Sequence, residues 1–138
     1  MRKCKLQTCN IPIGDGRWHH KYCEEHAGYA RPLRAMVNRA RERAMAKGLE
    51  FNIDTVNIRE IFPFNMICPA IGIAMSFGDK SGRTTSPSLD RIDNSKGYTI
   101  DNIQIISNQA NMMKNKATKE ELIRFSEWIL STYEKEQS

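Results

Sequence analysis

Residues 88–115 read SLDRIDNSKGYTIDNIQIISNQANMMKN, and this stretch decides the expected fold. Ser88–Ile92 is a strand candidate, and Asn94–Gly97 carries residue types that favour a turn. Asn102–Ile106 is a second strand candidate, and Ser107 is suited to cap a helix that runs to the end of the stretch. The pattern therefore predicts a strand, a loop, a strand and a helix, in that order.

Two helices are predicted before this stretch. The first begins near Pro32 and ends at Gly48, because its apolar residues recur at spacings of three and four. Those residues are Leu33, Met36, Val37, Ala40 and Ala44. The second is capped by Asp54 or Thr55 and runs to about Ile61, since Pro63 cannot continue it. The next apolar residues, Phe62, Phe64 and Ile67, are expected in the core.

A final helix is predicted from Thr118, whose spacing to Glu121 matches a capping box. Its expected buried side consists of Leu122, Ile123, Phe125, Trp128, Ile129 and Leu130. With the central stretch, these helices predict an α+β fold.

Length and charge restrict the class of protein. The chain has 138 residues, which suits one compact domain or a small domain with an appendage and excludes a large multidomain enzyme. No stretch approaches the roughly 20 apolar residues of a membrane span, and the N-terminus has no secretory signal, so we expect a cytoplasmic protein without a membrane partner. The net charge of +5 favours phosphate-bearing or other anionic partners.

Cysteine and histidine residues crowd the first 26 positions, a region with too little aliphatic content to fold by burial alone. Two close pairs are separated by a loop, which is the ligand spacing of a structural zinc site with four protein ligands. The predicted ligands are Cys4, Cys9, Cys23 and His26. Alternatives left open for the fourth ligand are His19, His20 and Cys68. The alternative to a zinc site is a set of unrelated buried thiols and a surface histidine.

The first helix is strongly basic, with only one acidic residue between positions 31 and 47. Surface helices usually mix charge signs, so this excess favours contact with phosphates over a merely solvated face. A calmodulin-like or membrane-surface helix is a further alternative, which the lack of Trp, Phe and Ile in the apolar stripe disfavours. The predicted nucleic-acid-binding residues on it are Arg31, Arg34, Arg39, Arg41, Arg43 and Lys47. Lys114 and Lys116 extend the positive surface after the second strand.

Oxygen-bearing side chains recur in the central stretch. A strand, a second strand and a helix that fold back on one another bring Asp90 and Asn111 towards one small cavity. A carboxylate and an amide, with water completing the shell, suit a hard divalent ion such as Mg²⁺. The structural alternative is a solvated turn at Asp90 and Asp93, with ordinary loop and cap chemistry at Asn102 and Asn111.

The stretch 88–115 resembles the ββα-metal core of HNH endonucleases, particularly small ones encoded by bacteriophages. The preceding segments RAMAKGLEFNI (43–53) and CPAIGI (68–73), together with the cysteine-rich N-terminus, are similar to pieces that precede the motif in such proteins. The resemblance covers most of residues 4–130. It implies that Asp90 and Asn111 bind the catalytic metal, Mg²⁺ or Mn²⁺, and that Asn102 hydrogen-bonds across the loop.

The sequence departs from the HNH pattern at Arg91, where the motif has a histidine that acts as the general base. Arginine cannot deprotonate water, and no histidine follows His26. Three outcomes stay open. Asp93 serves as the base or a third metal ligand while Arg91 neutralises phosphate charge; His19 or His20 supplies the base; or the core is inactive and retained for binding.

These features predict a zinc knuckle in residues 1–30, followed in residues 31–138 by a basic helix, an HNH-like core and a closing helix. The predicted function is metal-dependent hydrolysis of DNA phosphodiester bonds. The competing prediction is a catalytically inactive scaffold that binds DNA or a host protein as a regulator. A bacteriophage origin would place the protein in the cytoplasm of a bacterial host.

Overall fold

The computed structural model describes residues 30–77 and 84–134. The elements in these ranges are α1 (Ala30–Lys47), α2 (Thr55–Ile61), β1 (Pro87–Arg91), β2 (Ile103–Ser107), α3 (Asn108–Lys114) and α4 (Lys119–Tyr133), with a 3-10 turn at Ile100–Asn102. The two strands pair antiparallel. The prediction of a mixed helix and strand protein of the α+β class is confirmed.

Helix α1 packs one apolar stripe onto the rest of the molecule. The five residues predicted for this stripe are all buried: Leu33, Met36, Val37, Ala40 and Ala44. The helix ends at Lys47 because Gly48 takes a φ of +67°, which lies in the left-handed region that glycine adopts without a Cβ penalty. The predicted span is therefore correct to within two residues at its start.

Helix α2 begins at a capping box formed by residues close together in the sequence. The Asp54 side chain accepts the Asn57 N–H at 3.0 Å, and the Asn57 side chain accepts the Asp54 N–H at 2.9 Å. This reciprocal pair closes a capping box before Thr55. Ile58 on the helix and Phe62 just after it are fully buried, which anchors α2 to the core.

The strand pair and α3 form the centre of the described chain. In the register of β1 and β2, Leu89 lies opposite Ile105 and Asp90 opposite Gln104. Alternate residues of a strand face opposite sides, so Leu89 and Asp90 lie on different faces. Ser107 ends β2 and caps α3, because its hydroxyl accepts the Ala110 N–H at 3.1 Å. Helix α3 packs against both strands.

A segment before α2 attaches to the loop between the strands. The Tyr98 N–H donates to the Glu50 carbonyl at 2.8 Å, and the Asn52 N–H donates to the Tyr98 carbonyl at 2.9 Å. Gly97 permits this approach, because a Cβ at this position would lie 2.4 Å from the Glu50 carbonyl oxygen. The loop is therefore held from outside the strand pair as well as from within.

Two core predictions are wrong in this region. Phe62 is fully buried as expected, but Phe64 is 47% exposed and Ile67 is 41% exposed. The chain after Pro63 turns: Met66 has a φ of 57°, and its N–H donates to the Pro63 carbonyl at 3.1 Å. A turn of this kind moves neighbouring side chains off the buried face regardless of their hydrophobicity.

Helix α4 begins where predicted but does not bury its apolar side. The capping box of Thr118 and Glu121 is present. However, none of the fifteen residues of α4 is buried, so the prediction of its buried side is wrong. Leu122 is partly exposed, and the other five predicted residues are exposed: Ile123, Phe125, Trp128, Ile129 and Leu130. The helix makes no extensive contact with any other helix or strand of residues 30–77 and 84–134. None of the described helices is long and apolar enough to cross a membrane.

A candidate metal and nucleic-acid site between β1 and α3

The candidate site lies along the seam between β1 and α3. Ser88 and Asp90 are two residues apart on β1 and so share one face of the strand. Asn111 and Lys114 are three residues apart on α3 and so share one side of the helix. The side chains meet in order, Asn111 with Ser88 and Lys114 with Asp90. The seam therefore holds both residues that were predicted as metal ligands.

Asp90 is buried, with 6% of its surface exposed, and its carboxylate is paired. Oδ2 accepts the Lys114 ammonium at 2.9 Å and the Gln104 side-chain amide, also at 2.9 Å. Gln104 reaches it because the two residues are direct partners across the strand pair. None of the described hydrogen bonds ends on the second oxygen, Oδ1. Sequence reasoning missed Gln104, although a strand register drawn from the predicted hairpin would have placed it opposite Asp90.

Asn111 is oriented by Ser88. Its Nδ2 donates to the Ser88 hydroxyl at 3.1 Å, so the amide nitrogen is committed to the strand. The amide oxygen accepts none of the described hydrogen bonds. The seam thus offers one carboxylate oxygen and one amide oxygen, and hard divalent cations bind oxygen ligands of this kind.

Lys114 was predicted to contact nucleic acid, but its ammonium is turned into the seam. It is only 12% exposed and donates to Asp90, to the Arg91 carbonyl and, at 3.5 Å, to Asn94 Oδ1. The ammonium therefore compensates the Asp90 charge and ties α3 to the end of β1. Its positive charge also opposes the approach of a second cation to the same carboxylate.

Asn102 fixes the loop between the strands. Its Oδ1 accepts the Asp93 N–H at 2.9 Å, and its Nδ2 donates to the carbonyls of Asp93 at 3.1 Å and Gly97 at 2.8 Å. The residue is 6% exposed, so these bonds are shielded from water. One buried amide thereby sets the path of the chain immediately after Asp90 and Arg91.

Arg91 is held against the same loop. Nη1 donates to the carbonyls of Asn94 at 2.8 Å and Lys96 at 2.9 Å. The guanidinium carbon lies 5.4 Å from the centre of the Tyr98 ring, within the range of a cation–π contact. Arg43 of α1 contacts the same tyrosine, with Nε donating to the hydroxyl at 3.1 Å. Arg91 is therefore positioned by backbone and ring contacts, and its charge is fixed next to the seam.

Asp93, proposed above as a base or third ligand, forms a local turn. Its Oδ1 accepts both the Ser95 hydroxyl at 2.6 Å and the Ser95 N–H at 2.9 Å. The hydroxyl bond and the backbone bond hold the pKa of the Asp93 carboxyl below its usual value. A carboxylate with a lowered pKa is a weaker proton acceptor, which disfavours Asp93 as the general base.

The predicted basic surface of α1 is exposed. All six cationic side chains have exposed positions: Arg31, Arg34, Arg39, Arg41, Arg43 and Lys47. Two of them also contact aromatic rings, since Arg41 lies 5.2 Å from the centre of Phe51 and Arg43 lies 6.0 Å from the centre of Tyr98. Lys116, beyond α3, is exposed as well.

The predicted zinc ligands Cys4, Cys9, Cys23 and His26 lie outside the described residues, as do His19 and His20. Cys68 lies within them and is 1% exposed, and its sulfur accepts the Ser107 N–H at 3.2 Å. Over residues 30–77 and 84–134, no three or more histidine, cysteine, aspartate or glutamate side chains are grouped to hold a metal ion. A cation at the seam would therefore take most of its ligands from water or substrate.

Comparisons with known proteins add no assignment to this geometry. No family model, curated protein or solved structure matches the chain.

Proposed function

We propose that the protein is a DNA endonuclease of the HNH type that hydrolyses phosphodiester bonds with Mg²⁺ or Mn²⁺. The observation that carries the proposal is the seam between β1 and α3. There a buried aspartate has one oxygen bound by Lys114 and Gln104, and none of the described hydrogen bonds ends on its other oxygen. Asn111 is bound to Ser88, two residues before Asp90 on the same face of β1. Order along the chain supports the same proposal, because a strand pair with a long loop is followed directly by the helix that carries Asn111.

The two oxygens fit a divalent cation of the hard type. Mg²⁺ commonly keeps several waters and takes only one or two protein carboxylates, with substrate phosphate completing the shell. Asp90 and Asn111 would hold it. Such an ion supplies a water of lowered pKa and stabilises the charge that develops on the phosphate.

The chain's own residues supply position and charge. Asn102 holds the loop that follows Arg91, and the Arg91 guanidinium is held on the carbonyls of that loop. Because a guanidinium stays protonated, Arg91 can supply only positive charge to the DNA backbone and removes no proton. The lowered pKa of Asp93 makes its carboxylate a weak proton acceptor, so we do not assign the general base to Asp93.

The test is cleavage of supercoiled plasmid DNA in Mg²⁺ or Mn²⁺ by the full chain. Wild-type protein should nick the plasmid, and Asp90→Ala and Asn111→Ala should abolish nicking. Asp101→Ala is the matched control, because Asp101 is an exposed aspartate of the same loop whose side chain accepts only the Thr99 hydroxyl at 2.6 Å among the described bonds. Circular dichroism must show that each variant is folded. Absence of cleavage by the folded wild type in either metal would refute the endonuclease.

A second candidate is a DNA-binding protein without catalysis. It is favoured by the Lys114 ammonium on Asp90 and by the engagement of Arg91 with loop carbonyls, since both contacts stabilise the core without any metal. Under this candidate the wild type binds a DNA duplex in an anisotropy titration yet leaves the plasmid intact. The Asp90→Asn/Lys114→Met double variant would then bind DNA as the wild type does.

We also propose a structural zinc ion held by Cys4, Cys9, Cys23 and His26. Three thiolates and one imidazole form a donor set typical of tetrahedral structural zinc, with no position left for a catalytic water. Plasma mass spectrometry of the full chain should find about one zinc per chain. Cys9→Ser should lose that zinc, whereas Cys68→Ser should keep it, because Cys68 is buried in the core against Ser107. Equal zinc in both variants would refute the assignment.

A further inference from the structure

A polar groove of about 300 Å³ lies beside the seam, where the ends of α1, β1 and α3 meet. The end of α1 contributes Lys47, the segment after it contributes Leu49, and the end of β1 with the following loop contributes Arg91 and Asn94. The segment after α3 contributes Asn115 and Lys116. The lining therefore contains three cationic side chains, two amides and no acidic residue.

The positive charge in the groove is fixed in place. Arg91 Nη1 donates to the carbonyls of Asn94 and Lys96, and the guanidinium lies over the Tyr98 ring. None of the described hydrogen bonds uses its Nε or Nη2, so those donors remain for a ligand. A guanidinium whose position is already set loses little freedom when it binds an anion.

The walls of the groove are tied together by an amide. Asn94 Nδ2 donates to the carbonyls of Asn115 at 3.3 Å and Ala117 at 3.0 Å. Asn115 has a positive φ of 48°, and its N–H donates to the Asn111 carbonyl at 2.8 Å. The lysine at 116 is thereby presented by a fixed turn rather than by a free tail.

We propose that this groove binds one backbone phosphate of DNA. Three cations without an acidic neighbour match a phosphate group, which accepts several charge-assisted hydrogen bonds at once. The proposal rests on the proposed DNA-directed function and adds a defined contact to it. It also gives Arg91 a role as a phosphate-binding residue, separate from the proton-accepting role of the histidine that it replaces in the motif.

The groove and the seam are linked through two residues. The Arg91 guanidinium lines the groove while its carbonyl accepts from Lys114, and Asn94 lines the groove while its Oδ1 lies 3.5 Å from the Lys114 nitrogen. The groove therefore adjoins the seam, and a DNA strand whose phosphate is bound in the groove would be held next to the seam.

The test measures DNA affinity against salt concentration, with a fluorescent duplex and the full chain. The groove variant is Lys47→Gln/Lys116→Gln, and the control is Lys96→Gln/Arg124→Gln, which removes the same charge from exposed positions outside the groove. Loss of one phosphate contact should make the negative slope of log K against log salt shallower by about 0.9. If variant and wild type bind equally at 1 M salt, the variant then binds about eightfold more weakly than the wild type at 0.1 M salt. The control should keep the wild-type slope.

Inorganic phosphate provides a second arm that does not depend on DNA. In nuclear magnetic resonance spectra, phosphate should shift the side-chain amide signals of Asn94 and Asn115 in the wild type but not in the groove variant, at constant ionic strength.

A groove variant with the wild-type salt slope would overturn the inference while DNA binding stands. If the wild type binds no DNA, both the proposed function and the assignment of the groove to a DNA backbone phosphate are refuted. Amide shifts in phosphate would then assign the groove to a free phosphate instead.

Discussion

Asn102 provides the sharpest test of how the loop beside the candidate site is built. Its side chain makes three hydrogen bonds, one from the Asp93 N–H and two to the carbonyls of Asp93 and Gly97. Asn102→Ala removes all three but leaves the backbone bonds of residue 102, the N–H to the Thr99 carbonyl and the carbonyl to the Ile92 N–H. The change therefore isolates the amide.

The expected loss of stability follows from these bonds and their burial. A hydrogen bond contributes about 0.5–1.5 kcal/mol net, so three contribute about 3 kcal/mol. Burial keeps the estimate from falling below the middle of the range, because Asn102 is 6% exposed and water reaches the stranded Asp93 N–H poorly. We expect Asn102→Ala to lower the free energy of unfolding by about 3 kcal/mol.

Urea unfolding followed by circular dichroism measures this loss from the shift in midpoint at constant slope. Asn57→Ala is the matched control, because the Asn57 side chain accepts one exposed bond, from the Asp54 N–H at 2.9 Å. That variant should lose only about 0.5–1 kcal/mol. If Asn102→Ala costs no more than Asn57→Ala, the loop is held by something other than the Asn102 amide.

Asn102→Asp tests the same reasoning through pH. The introduced carboxylate can still accept the Asp93 N–H, but it faces two carbonyl oxygens that previously received a donor. Its pKa in the folded state should therefore rise above the unfolded value of about 3.9. A raised folded pKa gives full stability below the unfolded pKa and loses it as the pH rises through the folded pKa. A variant equally stable from acid to neutral pH would contradict the assignment of donor and acceptor.

Three further changes probe the loop and the helix cap. Gly97→Ala should cost about 2–3 kcal/mol in thermal denaturation, because the new Cβ would lie 2.4 Å from the Glu50 carbonyl oxygen; an unchanged midpoint would mean that the contact is absent. Ser107→Ala should cost about 1–2 kcal/mol by urea unfolding, since it removes the cap of α3 at a fully buried position, and a neutral result would count against the cap. The Ser95 hydroxyl bond holds the pKa of Asp93 below its usual value, so the stability that this bond contributes is present above the unfolded pKa and lost as the pH falls through the folded pKa. Asp93→Asn should remove that part of the acid sensitivity, as a pH series of melting temperatures would show.

Local signals carried most of the helix predictions. The caps at Asp54, Ser107 and Thr118 are made by side chains to backbone groups only three residues away, so the sequence contains both partners. The buried stripe of α1 likewise follows from spacing within one helix. The strand order was accessible for the same reason, since β1, its loop and β2 are contiguous.

Burial was harder to predict from the sequence where it depends on a partner that is distant along the chain. The apolar residues of α4 have the spacing of a core helix, but the spacing says only that one side is apolar and not what packs against it. Phe125 and Trp128 stack at 5.6 Å between ring centres on the helix's own surface, and both stay half exposed. Phe64 shows the related error at a turn, where position along the chain no longer predicts the direction of a side chain.

The contacts of the candidate site differ in the same way: a contact within one loop could be predicted from the sequence, and a contact between distant elements could not. The resemblance implied a bond from Asn102 across the loop, and such a bond links residues nine apart in one contiguous turn. The contact of Lys114 with Asp90 links residues 24 apart and depends on how α3 crosses β1, which no local pattern specifies. Charge alone assigned Lys114 to the DNA-binding surface, because a sequence shows the sign of a side chain but not its direction.

This ion pair decides how any Asp90 variant must be interpreted. Both partners are poorly exposed, 6% for Asp90 and 12% for Lys114, so Asp90→Ala leaves an ammonium with little water around it. Removing one partner of a buried pair costs about 3–5 kcal/mol, which is enough to unfold a small domain and to mimic a loss of catalysis. Asp90→Asn/Lys114→Met removes both charges together and should retain most of the stability. Loss of nicking in that folded double variant would show that the Asp90–Lys114 pair serves the chemistry and not only the fold, and retained nicking would exclude the Asp90 carboxylate as a required metal ligand.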